Sequence, residues 1–165
     1  MRERRSREVT IAATPIVLDE AKIYEEHALK ELRSAGFRIT MPRVQVIRAL
    51  ADTKRALSAY AIHEKIINGG GKIDVVSVYR ILSTLQEVGL IHHIGVVDGY
   101  FPCRTPDCDG KRSEVIVSEE TGDVIELRLP QSVIDALEEQ ARENGFSAST
   151  IKVEITGSIS AKGKK

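Results

Sequence analysis

Only two of the 165 residues are cysteine, Cys103 and Cys108, too few for a disulfide scaffold, though compatible with a single bridge. No apolar run approaches 18 residues, so a membrane-spanning helix is not expected. The N-terminus, MRERRSREVTIAATPIVLDE, is basic but lacks an apolar core of signal-peptide length. These absences lead to the expectation of a cytoplasmic protein with no membrane partner. Enzyme signatures are missing as well. There is no serine, histidine and aspartate pattern and no pair of carboxylates in an apolar setting, and glycines 69–71 lack a following lysine-serine pair. An enzyme is therefore not expected.

Net charge is absent too, with 24 Lys and Arg against 24 Asp and Glu, but the balance conceals an asymmetry. Between His27 and Gly95 ten cations face five carboxylates, a surplus of +5. Between Val96 and Gly157 six cations face thirteen carboxylates, a deficit of −7. A basic half suits a phosphate-binding surface. An acidic half suits pairing or ion binding, and two solvated surfaces that happen to differ would look the same.

What is present centres on Asp74 to Cys103, DVVSVYRILSTLQEVGLIHHIGVVDGYFPC. At about 100° per residue, Val78, Ile81, Leu82, Leu85 and Val88 gather on one side of a helix. Val76, Tyr79, Arg80 and Ser83 fall on the other, a face that suits a DNA groove. Asp74 is placed to cap this helix and Gly89 to end it. LIHHIGVV then reads as a strand, Asp98-Gly99 as a two-residue turn and Tyr100-Phe101 as the return strand. A helix followed by such a hairpin is a winged-helix ending, which predicts DNA binding.

Upstream, residues 1–20 read as a basic tail. A first helix is expected from Glu20 to Ser34, with Ile23, Ala28, Leu29 and Leu32 inward and Gly36 at its end. Thr40 caps a second helix with Pro42 in its first turn and Val44, Ile47, Leu50 and Ala51 buried. Ser58 caps a third, with Ile62 and Ile66 in the core, and Ile73 is a candidate short strand. Downstream, CRTPDCDGKR (103–112) reads as a hinge. SEVIVS and DVIELRL alternate around Thr121-Gly122, QSVIDALEEQAREN forms a helix with Val133, Ile134 and Leu137 inward and Gly145 at its end, and STIKVEITGSI is a third strand. The expected fold is α+β: a winged helix-turn-helix over 21–102, the hinge, a ββαβ domain over 113–157 and a frayed tail over 158–165. A ββαβ unit of roughly 50 residues is small for independent stability, which argues for a homodimer.

Several of these residues resemble the ferric uptake regulator family. They are Gly36-Phe-Arg-Ile-Thr40, Pro42-Arg43, Leu57-Ser58-Ala59, the VIEL run ending at Leu127 and, above all, Val76-Ser-Val-Tyr-Arg-Ile-Leu82, similar to the family's ATVYRxL helix. The spacing from GLIHHIGVVDGYFPC to Gly122 looks most like the zinc uptake branch. The resemblance implies a metal-responsive, dimeric transcriptional repressor that binds double-stranded DNA. It implies a regulatory zinc in each subunit whose His, Cys and Glu ligands fall on His92, Cys103 and Glu126. The branch's remaining His falls on Lys111, so Cys108 is the candidate fourth ligand, with Asp107, Asp109 and His93 as alternatives. The structural zinc of two CxxC pairs is not expected, because those positions hold Ser118, Thr121, Ile159 and Lys162. The His-rich run of iron-sensing members is replaced by KRSEV.

One imidazole, two thiolates and a carboxylate suit tetrahedral zinc. Without the resemblance, His92 and His93 would read as ordinary wing residues, Cys103 as a small buried apolar residue and Cys108 as a surface thiol. For DNA the candidates are Tyr79 against a thymine methyl, Arg80 at a base edge or phosphate, and Ser77 and Ser83 at phosphates. Thr40 opens the second helix beside Arg38 and Arg43, and the resemblance sends Arg38 to the minor groove and Arg43 to the backbone. Two alternatives stay open: a metal-independent regulator, and a redox-responsive one in which Cys103 and Cys108 bridge on oxidation.

Overall fold

The computed structural model describes residues 16–105 and 108–158. Helices α1 (Ile16–Ser34), α2 (Met41–Ala51), α3 (Ala59–Asn68) and α4 (Val75–Glu87) come first. Strands β1 (Ile91–Ile94) and β2 (Gly99–Pro102) follow as an antiparallel wing, joined through a single 3-10 turn at Gly95–Val97. After the hinge come β3 (Arg112–Ser118), β4 (Val124–Glu126), α5 (Gln131–Glu143) and β5 (Ile151–Gly157). The second sheet has order β4-β3-β5, with β4 antiparallel and β5 parallel to the central strand. This is the expected winged helix followed by a ββαβ unit. Among the described residues no helix is long and apolar enough to cross a membrane.

Local chemistry explains most of the boundaries. Ser58 accepts the Ala61 N–H and caps α3. Asp74 accepts the Ser77 N–H at 2.8 Å and caps α4. At the end of α4, Gly89 takes φ +82, and Leu90 N–H donates to Leu85 O at 2.8 Å, a closure in which the left-handed residue lets the last carbonyl find a donor. Gly89 is also hemmed in, since a Cβ there would lie 2.7 Å from Gly110 N and 2.8 Å from Cys108 O. The hinge therefore packs directly on the end of α4.

Among the described residues two apolar clusters form the core. The first joins α1–α4 with Leu90 and Ile91, and includes Leu32, Ile47, Leu50, Ile62, Val78, Leu82 and Leu85. The second joins the outer face of the wing, Ile94 and Phe101, to Val115, Val117 and Val124 of the second sheet. The wing is thus shared between two cores.

The structure departs from expectation at several points. Helix α1 begins at Ile16, so the expected tail of residues 1–20 is helical in its last part, and residues 1–15 lie outside those described. Ile23 is 61% exposed, and its neighbour Tyr24 is buried instead, donating its hydroxyl to Leu90 O at 2.8 Å. One step along a helix turns the side chain by about 100°, so packing rather than pattern selects the inward residue. Thr40 sits at the N-cap of α2 but its side chain makes no capping bond. Ile73 is not in a strand; Leu57 instead bridges to Tyr100 beside the wing. The register pairs Ile94 with Gly99, so the wing loop is residues 95–98 rather than a two-residue Asp98-Gly99 turn, with Asp98 left-handed at φ 44. The hinge ends one residue early, at the start of β3. On α5 only Ile134 is buried, while Val133 and Leu137 are about 40% exposed.

Candidate metal centre and nucleic-acid interface

Antiparallel pairing of β1 sends alternate side chains to opposite faces, and this separates two adjacent histidines. His92 turns toward the second domain and is buried; its Nε2 lies 2.7 Å from Glu126 Oε1 and its Nδ1 lies 2.8 Å from Ser113 Oγ. His93 turns the other way, 3.1 Å from exposed Asp98 and against the Tyr100 ring. Strand parity removes His93 from the centre.

One donor atom each from His92, Cys103, Cys108 and Glu126 lie within 4.8 Å of one another. The four come from the wing, the hinge that follows it directly, and β4, which only the tertiary fold brings alongside. Glu126 closes β4 opposite Val115, and both its oxygens accept the Arg104 N–H at 3.1 Å. Cys103 and Cys108 are joined as a disulfide, with Cα atoms 6.5 Å apart, and the Thr105 hydroxyl lies 3.3 and 3.0 Å from their sulfurs. The oxidised pair offers no thiolate, whereas reduction would present one imidazole, two thiolates and one carboxylate. That donor set fits a borderline cation in tetrahedral geometry. Of the alternatives, Asp109 accepts the Lys111 N–H and is exposed, Lys111 is exposed, and Asp107 lies outside the described residues.

Two residues around the centre were not singled out by the sequence. Ser113 fixes the orientation of the His92 ring through Nδ1, the kind of outer contact that commonly orients a ligating imidazole. Arg104 holds Glu126 through its main chain. Neither carries a local signal, since both act through partners more than twenty positions away. Beside them, Glu114 is buried, paired with Arg112, and accepts the Leu129 N–H at 2.6 Å. Burial pushes its carboxyl up, but the Arg112 guanidinium and the Leu129 N–H outweigh this and hold it below its usual value.

At two of the four positions that rule out a CxxC zinc site, Ser118 Oγ accepts the Thr121 N–H at 3.3 Å and Thr121 Oγ1 accepts the Asp123 N–H at 3.2 Å. Hydroxyls, not thiolates, close this turn. Ile159 and Lys162 lie outside the described residues.

The outer face of α4 presents Val76, Tyr79, Arg80 and Ser83 to solvent, as its periodicity predicts. Tyr79 is joined by an unforeseen neighbour: exposed Tyr60 of α3 meets its ring edge-on, with centroids 6.4 Å apart. Ser77 is already engaged, its hydroxyl donating to Asp74 Oδ2 at 2.7 Å. Arg38 and Thr40 are exposed at the start of α2, while Arg43 donates to the Arg38 carbonyl and lies over the Phe37 ring. Tyr100, partly covered behind this face, has its phenol raised by burial, with Tyr79 and Asp98 adding to the shift.

The domain pair has close counterparts among solved structures. A zinc uptake regulator complexed with zinc and DNA superposes with a TM-score of 0.77 at 24% identity, over 86% of this chain and 93% of that one. The holo form of XcZur superposes with a TM-score of 0.74 at 21% identity, over 85% and 96%. In sequence, the ferric uptake regulation protein of Brucella abortus biovar 1 (strain 9-941) is 32% identical over 127 residues, covering 76% of this chain and 87% of that protein. The model of the ferric uptake regulator family matches residues 34–156, from the end of α1 through β5. With α2–α4, the wing, nearly all of the ββαβ unit and the donor cluster at their junction inside that span, the chain belongs to the ferric uptake regulator family.

Proposed function

We propose that this protein is a zinc-responsive, dimeric transcriptional repressor that reads operator DNA with α4. The observation that carries the metal part is the convergence of His92, Cys103, Cys108 and Glu126 donors within 4.8 Å at the domain junction. These four residues would hold the ion once the cysteines are reduced, and a dication there would draw the wing, the hinge and β4 together. Two thiolates and an imidazole favour zinc over harder, oxygen-preferring ions. The choice of zinc is also supported by the likeness to a regulator solved with zinc and DNA.

The DNA surface is built by Tyr79, Arg80 and Ser83 on α4, with Arg38, Thr40, Arg43 and Ser77 at its margins. Tyr60 extends it from α3. The dimer is supported by large apolar side chains left exposed on the second domain of a single chain, Ile125, Val133, Leu137, Phe146 and Ile155. In the described chain β5 is also an edge of its sheet, open to pairing with a second copy. Binding the ion would bias the two winged helices toward one spacing, a shift in the population of dimer conformations.

A redox-responsive regulator is the second reading, favoured by the disulfide between the same two sulfurs. Metal and disulfide exclude each other at this pair. Fluorescence anisotropy on the duplex upstream of the protein's own gene, with reductant and buffered zinc or chelator, tests both. Tight binding only with zinc supports the repressor. Equal binding in zinc and chelator, changed by oxidation, supports the redox reading instead.

A further inference from the structure

Arg104 touches both sides of the domain junction with chemically separate parts. Its main-chain N–H donates to the two oxygens of Glu126 at 3.1 Å. Its guanidinium Nη2 donates to the carbonyls of Ala51 at 2.9 Å and Thr53 at 3.1 Å. The same guanidinium lies over the Phe101 ring of the wing, 5.2 Å from its centroid. Ala51 is the last residue of α2, where the final carbonyls lack intrahelical donors and the helix dipole favours a cation. Helix α2 packs in turn on α4 through the shared core.

We infer that Arg104 is the positioning residue through which the state of the metal centre sets the pose of α2, and with it the reading helix. The inference rests on the metal-responsive reading above. The geometry gives Arg104 two constraints that meet at one Cα. Cys103 precedes it in the chain and Glu126 grips its amide, so any rearrangement of those two ligands moves the base of the side chain. The fork at the other end is tied to two carbonyls at the end of α2, which must follow or lose a charge-assisted bond. Among the described residues, His92 also crosses the junction, to Glu126 and Ser113, but it ends on the wing and not on α2. Further polar links are Glu154 to the wing tip, Arg55 to Asp123, and the Val124 N–H to Lys54 O. None of these further links involves a candidate ligand. Because the amide belongs to the backbone, substitution of the side chain leaves the support of Glu126 in place, and the two roles separate experimentally.

The test is hydrogen–deuterium exchange of the reduced full chain, with zinc or with chelator, for the wild type, Arg104→Gln and Arg104→Lys. Segment 112–118 reports on the centre and segment 48–55 on the end of α2. In the wild type, zinc should slow exchange in both segments, at 48–55 by roughly 5- to 150-fold, the ordinary span of coupling between sites. In Arg104→Gln, zinc should still protect 112–118, while its effect at 48–55 falls below about twofold. Arg104→Lys, a point charge without the fork, should give an intermediate effect. Circular dichroism establishes that each variant is folded, and the lysine variant decides the matter if the glutamine variant is not. Full zinc protection of 48–55 in a folded variant overturns the inference, as does loss of zinc binding by that variant. A wild type protected at 112–118 but not at 48–55 overturns it while leaving the metal reading intact. A wild type with no zinc protection in either segment overturns the metal reading itself.

Discussion

The carboxylate of Glu154, in β5, accepts the main-chain N–H of Gly95 at 2.8 Å and that of Val96 at 3.0 Å, fifty-nine and fifty-eight positions away in the chain. These amides open the 3-10 turn of the wing, where donors lack partners within the turn. The loop itself, Gly95 to Asp98, contains no cation. This wing tip is therefore better suited to docking on the acidic domain than to gripping phosphate.

Replacing Glu154 with alanine should release both amides. Exchange of the Gly95 and Val96 N–H groups, followed by NMR, should quicken by roughly one to two orders of magnitude, since each lost charge-assisted bond is ordinarily worth about 1.5–3 kcal/mol. Unchanged protection would mean that the turn holds itself.

Cys103→Ser in reduced protein should remove zinc while the fold persists, because Cys103, though buried, belongs to neither apolar cluster and serine has nearly its shape. Zinc per subunit, measured by atomic absorption, should fall from one toward none. Retained stoichiometry would show that Cys103 serves packing alone.

Arg80→Ala and Tyr79→Ala should weaken specific DNA binding while leaving the dimer intact. A lost base-edge contact ordinarily costs about 1–3 kcal/mol, and a lost phosphate contact weakens all sequences alike and lowers the salt slope. Anisotropy on specific and scrambled duplexes separates the two roles for Arg80. No change in either duplex would remove that side chain from the reading face.

Gly89→Ala should destabilise the chain and disturb the centre together. The left-handed backbone alone costs a non-glycine residue about 1–2 kcal/mol, and the added Cβ would press on Cys108 O and Gly110 N. Urea unfolding should show a loss at least this large, and reduced protein should bind zinc more weakly. A stable variant with normal zinc affinity would show that the hinge can move away freely.

Glu114 should make the second domain sensitive to acid. Burial pushes its carboxyl up, but Arg112 and the Leu129 N–H prevail and hold it below its ordinary value of 4.5. A depressed folded value means that the stabilisation is present above the unfolded value and is lost as the pH falls through the folded one. The melting temperature should therefore drop in acid below about pH 4.5. Glu114→Gln should be less stable near neutrality and show a shallower acid limb. Parallel limbs for the two proteins would assign the acid sensitivity to other carboxylates.

The sequence by itself determined the features that depend on near neighbours. The caps at Ser58 and Asp74, the helix stops at Gly36, Gly89 and Gly145, and the two faces of α4 follow from backbone sterics and a 3.6-residue period. Alternation along β1 ensured that His92 and His93 would face apart, but nothing local could say which would face Glu126. That was decided when Ile94 and Phe101 packed on Val115, Val117 and Val124, fixing which side of the wing meets the second sheet. Packing likewise chose Tyr24 over Ile23 on α1, because helices present a continuous surface and only a neighbour selects its buried stripe. Ser113, Arg104 and Glu154 became visible only in three dimensions, each a polar group whose partner lies far along the chain. Hydrogen bonds between distant segments leave no periodic trace in the order of residues, so the junction that would hold the metal belongs to the tertiary structure.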